Sequence, residues 1–224
     1  MKGFAHAALA LLLCAGALAQ ETPAPEDPVQ RIAQIEARLL AAQHVAIDAS
    51  IESTGFIRSK LKGHSEWRDR NRANLAYSGE FAGKPAELVL ASDGRALEVH
   101  NGPDLRREAP GKESNRAQLV GFVRMGLLHN LARLNAAQGP EHGGGGVDQW
   151  VSLDAFRPTT YAQGSELEGA TSFGFDFVIA GETAGSARLW LDPASGLPRR
   201  RVTTLYRPEG ETTVVEEYTH FVVE

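Results

Sequence analysis

Histidine and cysteine, the side chains that most often bind transition metals, are sparse and poorly spaced in this chain. It has 7 histidines and 1 cysteine, Cys14, among 224 residues. The histidines after residue 19 are His44, His64, His100, His129, His142 and His220. No two of them have the short helical spacing that places two imidazoles around zinc. The sequence therefore predicts no metal site and no cofactor.

The chain also lacks the common signatures of catalysis. No Gly-x-Ser-x-Gly segment is present, and the serines of Gly164–Leu167 and Ser195–Pro198 lie in turn contexts. Glu216 and Glu217 are neighbours on a predicted strand, so they point to opposite faces. The glycine-rich stretch 139–146 lacks the Lys-Ser/Thr pair of a phosphate-binding loop and is expected to be flexible. We expect no enzyme; a hydrolase with an unrecognised site is the least favoured alternative.

Three arginines at alternate positions are the first candidates for binding. Arg68, Arg70 and Arg72 share one face if residues 67–77 form a regular strand. They form either the solvated outer face of a sheet or a basic ladder that contacts an anionic partner.

Phenylalanines at alternate positions form the second candidate. Phe173, Phe175 and Phe177 share one face of a predicted strand with Ile179. Cores and pockets for apolar ligands use the same residue types, so this ladder is either packed core or the lining of a cavity.

The amino terminus predicts export. Phe4–Ala15 is apolar but too short to span a membrane, and Ala17-Leu18-Ala19 has the small-x-small pattern of a cleavage site. We predict a signal peptide over residues 1–19, cut after Ala19, and a flexible lead-in over 20–28. A lipid anchor at Cys14 is less favoured, because two bulky leucines precede it.

The composition suits a globular domain with a sizeable core and argues against nucleic-acid binding. The chain is 42% hydrophobic and carries a net charge of −5. Hydrophobic spacing predicts helices over residues 27–43 and 113–137, and Gly121 and Gly126 permit bending or close approach in the second. Alternation predicts strands over residues 45–51, 67–77, 87–91, 95–100, 173–179, 187–191, 202–206 and 213–223. The fold class is therefore α+β, with an antiparallel sheet that curls and is covered by helices.

The segment Leu189–Arg201, LWLDPASGLPRRR, is interpreted as a corner of this sheet. Leu189 and Leu191 belong to the apolar face, and Trp190 points the other way. Asp192-Pro193 ends the strand, and Gly196 permits a tight turn. On a regular return strand Arg199 and Arg201 share one face, so the three arginines form no single basic patch.

The order of these elements resembles the bacterial outer-membrane lipoprotein carriers (LolA/LolB-like). The resemblance covers most of the chain after the signal peptide, over residues 29–224, in pattern more than identity. Its best local match is WLDPASGLPRR, Trp190–Arg200. The resemblance implies an incomplete, strongly curved antiparallel β-barrel whose open side is covered by helices. In that family an arginine on an early strand holds the helical lid closed, and Arg58 and Arg68 are the candidates here.

The resemblance further implies a non-enzymatic, monomeric periplasmic carrier of lipid or lipoprotein acyl chains, with membrane-associated protein partners and no nucleic acid. The alternative is a periplasmic sensor or protein-interaction module with a filled core, for which the three arginines would matter most. The residues expected to line an apolar cavity are Ile47, Ile51, Trp67, Leu127, Leu131, Phe173, Phe175, Phe177 and Leu189.

Overall fold

The computed structural model describes residues 28–69, 72–101, 104–108, 117–135, 159–160, 167, 170–179 and 182–224. The predicted signal peptide, the lead-in up to residue 27, Arg70 and the glycine-rich stretch 139–146 lie outside these residues. For Phe177 only the strand position is described.

Three helices and eleven strands make up the described chain. The helices are α1 (Pro28–Ala41), α2 (Ala117–Met125) and α3 (Leu127–Asn135). The strands are β1 (His44–Gly55), β2 (Ser59–Arg68), β3 (Arg72–Phe81), β4 (Lys84–Asp93), β5 (Leu97–Asn101), β6 (Asp104–Glu108), β7 (Thr159–Thr160), β8 (Thr171–Ile179), β9 (Glu182–Leu191), β10 (Pro198–Leu205) and β11 (Thr212–Val223).

All eleven strands form one antiparallel sheet in the order β6-β5-β4-β3-β2-β1-β11-β10-β9-β8-β7. The sheet is not closed, since β6 and β7 remain its two edges. Irregularities in register at Asp48/Ala49, Phe177/Val178 and Pro198/Arg200 increase its local twist. One buried apolar cluster joins the concave face to all three helices. The predicted α+β fold, an incomplete barrel with helices over its open side, is confirmed.

Alternation of side chains directs the apolar residues to the concave face. On β1, Val45, Ile47 and Ile51 are at most 1% exposed, whereas Glu52 faces solvent. The helix α1 begins at Pro28 and buries Ile32 and Leu39 against the sheet. The sheet and α1 therefore contribute matching apolar faces to one core.

The strand predicted over residues 67–77 is wrong. Arg68 ends β2 and Arg72 begins β3, and the two residues face each other across the hairpin. Asp69 adopts a positive φ of 54°, which aspartate tolerates better than most residues, so the chain reverses where a regular strand was expected. The sequence prediction also missed β2, the strand that ends at this reversal.

The helix predicted over residues 113–137 is two helices. Gly126, with φ of 86°, separates α2 from α3. Gly121 permits close approach, since a Cβ there would lie 2.6 Å from Asn130 Oδ1. The predicted consequences of both glycines, bending and close approach, are confirmed.

The predicted corner between β9 and β10 is also confirmed. Asp192 organises it, because its Oδ1 accepts hydrogen bonds from the backbone N–H groups of Ala194 (3.1 Å) and Ser195 (2.8 Å). The Ser195 N–H is the main reason why the pKa of Asp192 is lowered. Arg38 of α1 donates to the Ser195 carbonyl at 2.6 Å, so the corner also holds the end of α1.

Removing the Asp192 carboxylate is expected to cost about 1 kcal/mol of folding free energy at neutral pH, since it removes two backbone hydrogen bonds. The folded-state pKa is lowered, so the contribution is complete above the ordinary value of 3.8 and is lost as pH falls through the folded pKa. Urea denaturation of Asp192→Ala across pH 2–7 measures this, with the exposed Glu209→Ala as control. A stability difference that stays constant down to pH 2 would contradict it.

Candidate functional site

The predicted cavity residues lie together, but they are packed. Eight of them have described side chains that join the same buried cluster with at most 3% exposure: Ile47, Ile51, Trp67, Leu127, Leu131, Phe173, Phe175 and Leu189. Of these eight, Leu131 lines one of the openings described below. In the structure these residues are core, and their role as a ligand-binding surface stays a prediction.

Open apolar space lies beside α3, at the ends of the central strands. We call the larger opening, of about 210 Å³, the lid pocket. It is lined by Leu61, Tyr77, Phe81, Lys84, Pro85, Ala86, Leu88, Leu128, Leu131 and Ala132. A side pocket of about 50 Å³ shares Phe81, Leu128 and Ala132 with it and extends to Ile57 and Arg207. The two pockets therefore border the same three side chains.

The lid pocket is small for a ligand-binding site. Sites for drug-sized ligands enclose roughly 300–1,000 Å³, and the lid pocket is smaller than that. A long acyl chain would need α2 and α3, the lid, to move away from the sheet.

A third opening, of about 900 Å³ and larger than both of these pockets, lies between the β9–β10 corner and β11. Its lining is mainly polar and charged, including Asp192, Arg199, Arg200, Glu217 and His220. This composition does not suit an apolar ligand.

A buried arginine on the sheet binds the carboxyl end of α2. Arg201 is 1% exposed and donates through Nη1 to the Val123 carbonyl (2.6 Å) and through Nη2 to the Arg124 carbonyl (2.7 Å). Its Nε donates to Thr203 Oγ1 at 2.7 Å, and the guanidinium lies over the Phe175 ring. Burial lowers the pKa of Arg201, and the charge of Glu216 opposes that shift. The terminal carbonyls of α2 carry partial negative charge, which the guanidinium complements.

A buried glutamate on the adjacent strand binds the amino end of α3. Glu216 is the cross-strand neighbour of Arg201 and is 1% exposed. Its Oε1 accepts from the Leu128 N–H (2.8 Å), and its Oε2 accepts from the Tyr218 hydroxyl (2.5 Å). Burial raises the pKa of Tyr218, and the charge of Glu216 raises it further, so the phenol stays a donor. The carboxylate complements the partial positive charge of the helix start.

Gly126 lies where these two groups meet. A Cβ there would be 2.9 Å from Glu216 Oε1 and 3.1 Å from Arg201 Nε. We call Arg201, Glu216, Tyr218 and Gly126 the lid lock. It fixes both helices of the lid at their junction, with each charge opposite the helix end of complementary polarity.

A second buried contact fixes the lid to α1. Arg124 donates from Nε to Glu36 Oε1 (2.7 Å) and from Nη2 to Oε2 (3.0 Å). Both side chains are below 10% exposure. Because Arg124 also supplies a carbonyl to Arg201, α1, the lid and the sheet are linked through one residue.

The predicted lid arginines were wrong. Arg58 is exposed, and the exposed Arg68 donates to Glu66 at 2.9 and 2.7 Å. The lid is held by Arg201, from the segment interpreted only as a sheet corner. The register of β10 with β9 could have identified Arg201, because it pairs with the buried Leu189. An arginine on an apolar face needs a buried hydrogen-bonding partner.

The proposed basic ladder does not exist as one strand. Arg68 and Arg72 lie on opposite sides of the β2–β3 turn and are exposed; Arg72 donates to Asp69. Arg70 lies outside the described residues. Contact of these arginines with an anionic partner stays a prediction.

The described residues contain neither a metal-binding cluster nor a membrane-spanning helix. No cluster of three or more His, Cys, Asp or Glu side chains suitable for a metal ion occurs there. None of the described helices combines the length and hydropathy needed to span a membrane.

Comparisons with known proteins return weak structural likenesses. A LolA superfamily protein from Nitrosomonas europaea is 9% identical, covers 89% of this chain and 94% of its own, and has a TM-score of 0.34. An outer membrane lipoprotein-sorting domain from Vibrio parahaemolyticus is 7% identical, with coverages of 88% and 92% and a TM-score of 0.34. A DUF1329 family protein from Desulfovibrio piger is 11% identical, with coverages of 89% and 94% and a TM-score of 0.33.

No known family profile and no curated protein matches the sequence. TM-scores this low assign neither family membership nor function.

Proposed function

We propose that residues 29–224 form a non-enzymatic carrier of acyl chains, from lipids or lipoproteins, that acts in the periplasm after removal of the signal peptide. The supporting observation is the lid lock, which joins the helices to the sheet beside an apolar pocket. The acyl chain would enter between the lid and the concave face.

The chemistry of the lock supports an opening lid. Buried ionic groups are often no more stabilising than apolar side chains of similar volume, so this lock is not explained by stability alone. Its hydrogen bonds are directional and are either made or broken, which favours two discrete lid positions. Each methylene moved from water into an apolar site contributes about 0.8 kcal/mol, so one acyl chain supplies enough free energy to offset opening.

The alternative function is a sensor or protein-interaction module with a filled core. The packing of the predicted cavity residues, at most 3% exposed, favours it. Arg68→Glu and Arg72→Glu would then abolish capture of a protein partner. Partner capture that survives both substitutions would remove this alternative.

Binding of a fluorescent fatty acid to the purified protein tests the carrier function directly, and native mass spectrometry shows whether lipid co-purifies. Failure of both would contradict the proposed function.

Filling the shared pocket wall should block binding. Ala132 is half-buried on α3 and borders both pockets. Ala132→Trp is expected to weaken fatty-acid binding at least about tenfold, because the indole occupies the space that the ligand needs. The matched control is Ala76→Trp, on the exposed outer face of β3, which should bind normally. Equal affinities for the two variants would place the ligand elsewhere.

A further inference from the structure

The lid pocket and the side pocket open at one rim of the sheet. The β1–β2, β3–β4 and β10–β11 turns all lie at this rim, because antiparallel pairing brings the ends of these strands together. The β9–β10 corner, which contacts α1, lies at the opposite rim. A ligand that enters the pockets would therefore leave its polar end beside these three turns.

Lys84 lies at this opening, on the side of the sheet that faces the ligand. It is the first residue of β4 and pairs with Phe81, so both side chains belong to the concave face. Lys84 lines the lid pocket beside Phe81 and Pro85 and is exposed. Among the described residues, no carboxylate lines the lid pocket and none forms an ion pair with Lys84 within 4.0 Å.

A second cation borders the adjoining pocket. Arg207 lines the side pocket and is exposed, and no ion pair within 4.0 Å is found for it in the described ranges. The carboxylate of Glu216 also borders this pocket, but it already accepts hydrogen bonds from Leu128 and Tyr218. Among the nearby carboxylates, Glu80 near the end of β3 and Glu209 and Glu211 in the β10–β11 turn line neither pocket. Lys84 and Arg207 therefore place exposed positive charge at the opening, whereas Glu216 is buried opposite Arg201.

We infer that the pocket takes single-chain amphiphiles with an anionic head, the chain lying beside α3 and the head beside Lys84 and Arg207. This inference rests on the proposed acyl-chain function and adds the charge of the ligand to it. A carboxylate or phosphate head near an exposed ammonium gains a modest attraction that salt screens. The apolar chain supplies most of the affinity, and the two cations select among ligands of equal length.

Dodecanoate, dodecyl phosphate and dodecanol, which share one alkyl chain and differ in head group, provide the test on the protein without residues 1–19, the predicted signal peptide. Both anions are expected to bind about three- to fivefold more tightly than the alcohol at low salt, and the preference should shrink at high salt. Lys84→Met should remove most of this preference, measured within the variant as the ratio of its dodecanoate affinity to its dodecanol affinity. Lys62→Met, on the exposed outer part of β2, is the matched control. Comparing the two anions distinguishes a fatty-acid carboxylate from a lipid phosphate.

The outcomes separate this inference from the proposed function. Equal affinity for acid, phosphate and alcohol, or an anion preference that survives Lys84→Met together with Arg207→Met, would overturn the inference and leave acyl-chain binding intact. Absence of binding by all three ligands would overturn the proposed function and the inference with it.

Discussion

Replacing Arg201 by methionine is expected to destabilise the folded chain by about 3–5 kcal/mol, the usual cost of breaking a buried charge pair by removing one partner. Two carbonyls at the end of α2 lose their donors, and the carboxylate of Glu216 stays buried without the opposing charge. Urea denaturation gives the stability. An apolar dye should also bind more strongly below the unfolding transition, because the lid is released.

A double variant at the lid lock and a control variant at a neighbouring arginine complete this experiment. Adding Glu216→Gln to Arg201→Met should restore about 1 kcal/mol or more, since the amide oxygen can still accept from Leu128 and no unpaired charge remains. Arg199→Met, on an exposed position two residues away, should stay within about 0.5 kcal/mol of the native chain. If Arg201→Met were as stable as Arg199→Met, the lid lock would have no energetic role.

Gly126→Ala is the second substitution with a large expected effect. A positive φ costs a non-glycine residue about 1–3 kcal/mol, and the new methyl would also enter the space of Glu216 and Arg201. We expect a total loss of about 3 kcal/mol or more, together with a lid that no longer closes over the sheet.

Gly83→Ala separates the two causes. Gly83 also has a positive φ, of 75°, but a Cβ there would meet nothing within 4 Å. Its variant should therefore lose only the backbone contribution and leave ligand binding unchanged. The difference between the two alanine variants measures the intrusion into the lid lock. Equal losses of folding free energy in both variants would show that Gly126 is needed only for its backbone conformation.

Short sequence patterns predicted much of the fold because strands and tight turns are determined by interactions over a few residues. The alternation of Val45, Ile47 and Ile51 predicted β1, and Asp93-Gly94 predicted the β4–β5 hairpin, since side-chain period and turn chemistry act over a few residues. The reversal at Asp69 was missed because aspartate at a turn carries a weaker signal than glycine.

The site was harder to predict because it depends on distant residues. Arg201 interacts with carbonyls 77 and 78 positions away in the chain, and Glu216 with an N–H 88 positions away. An arginine in a basic run is normally exposed, and no local pattern indicates that helix ends will cover it. Buried phenylalanines likewise have the same spacing whether helices or a ligand covers them, so Phe173 and Phe175 could not be assigned from sequence.

The pairing of β1 with β11 sets the order in which the chain can fold. Val45 pairs with Val223, so the centre of the sheet joins segments separated by almost the whole described sequence. Contacts of such high contact order form slowly, because closing a long loop costs entropy before any bond compensates for it. The pairing of β1 with β11 cannot form until β11 has been synthesised. While the chain is being synthesised, the sheet therefore stays incomplete until β11 emerges. For a chain exported as proposed, this delay would favour translocation in the unfolded state over premature folding.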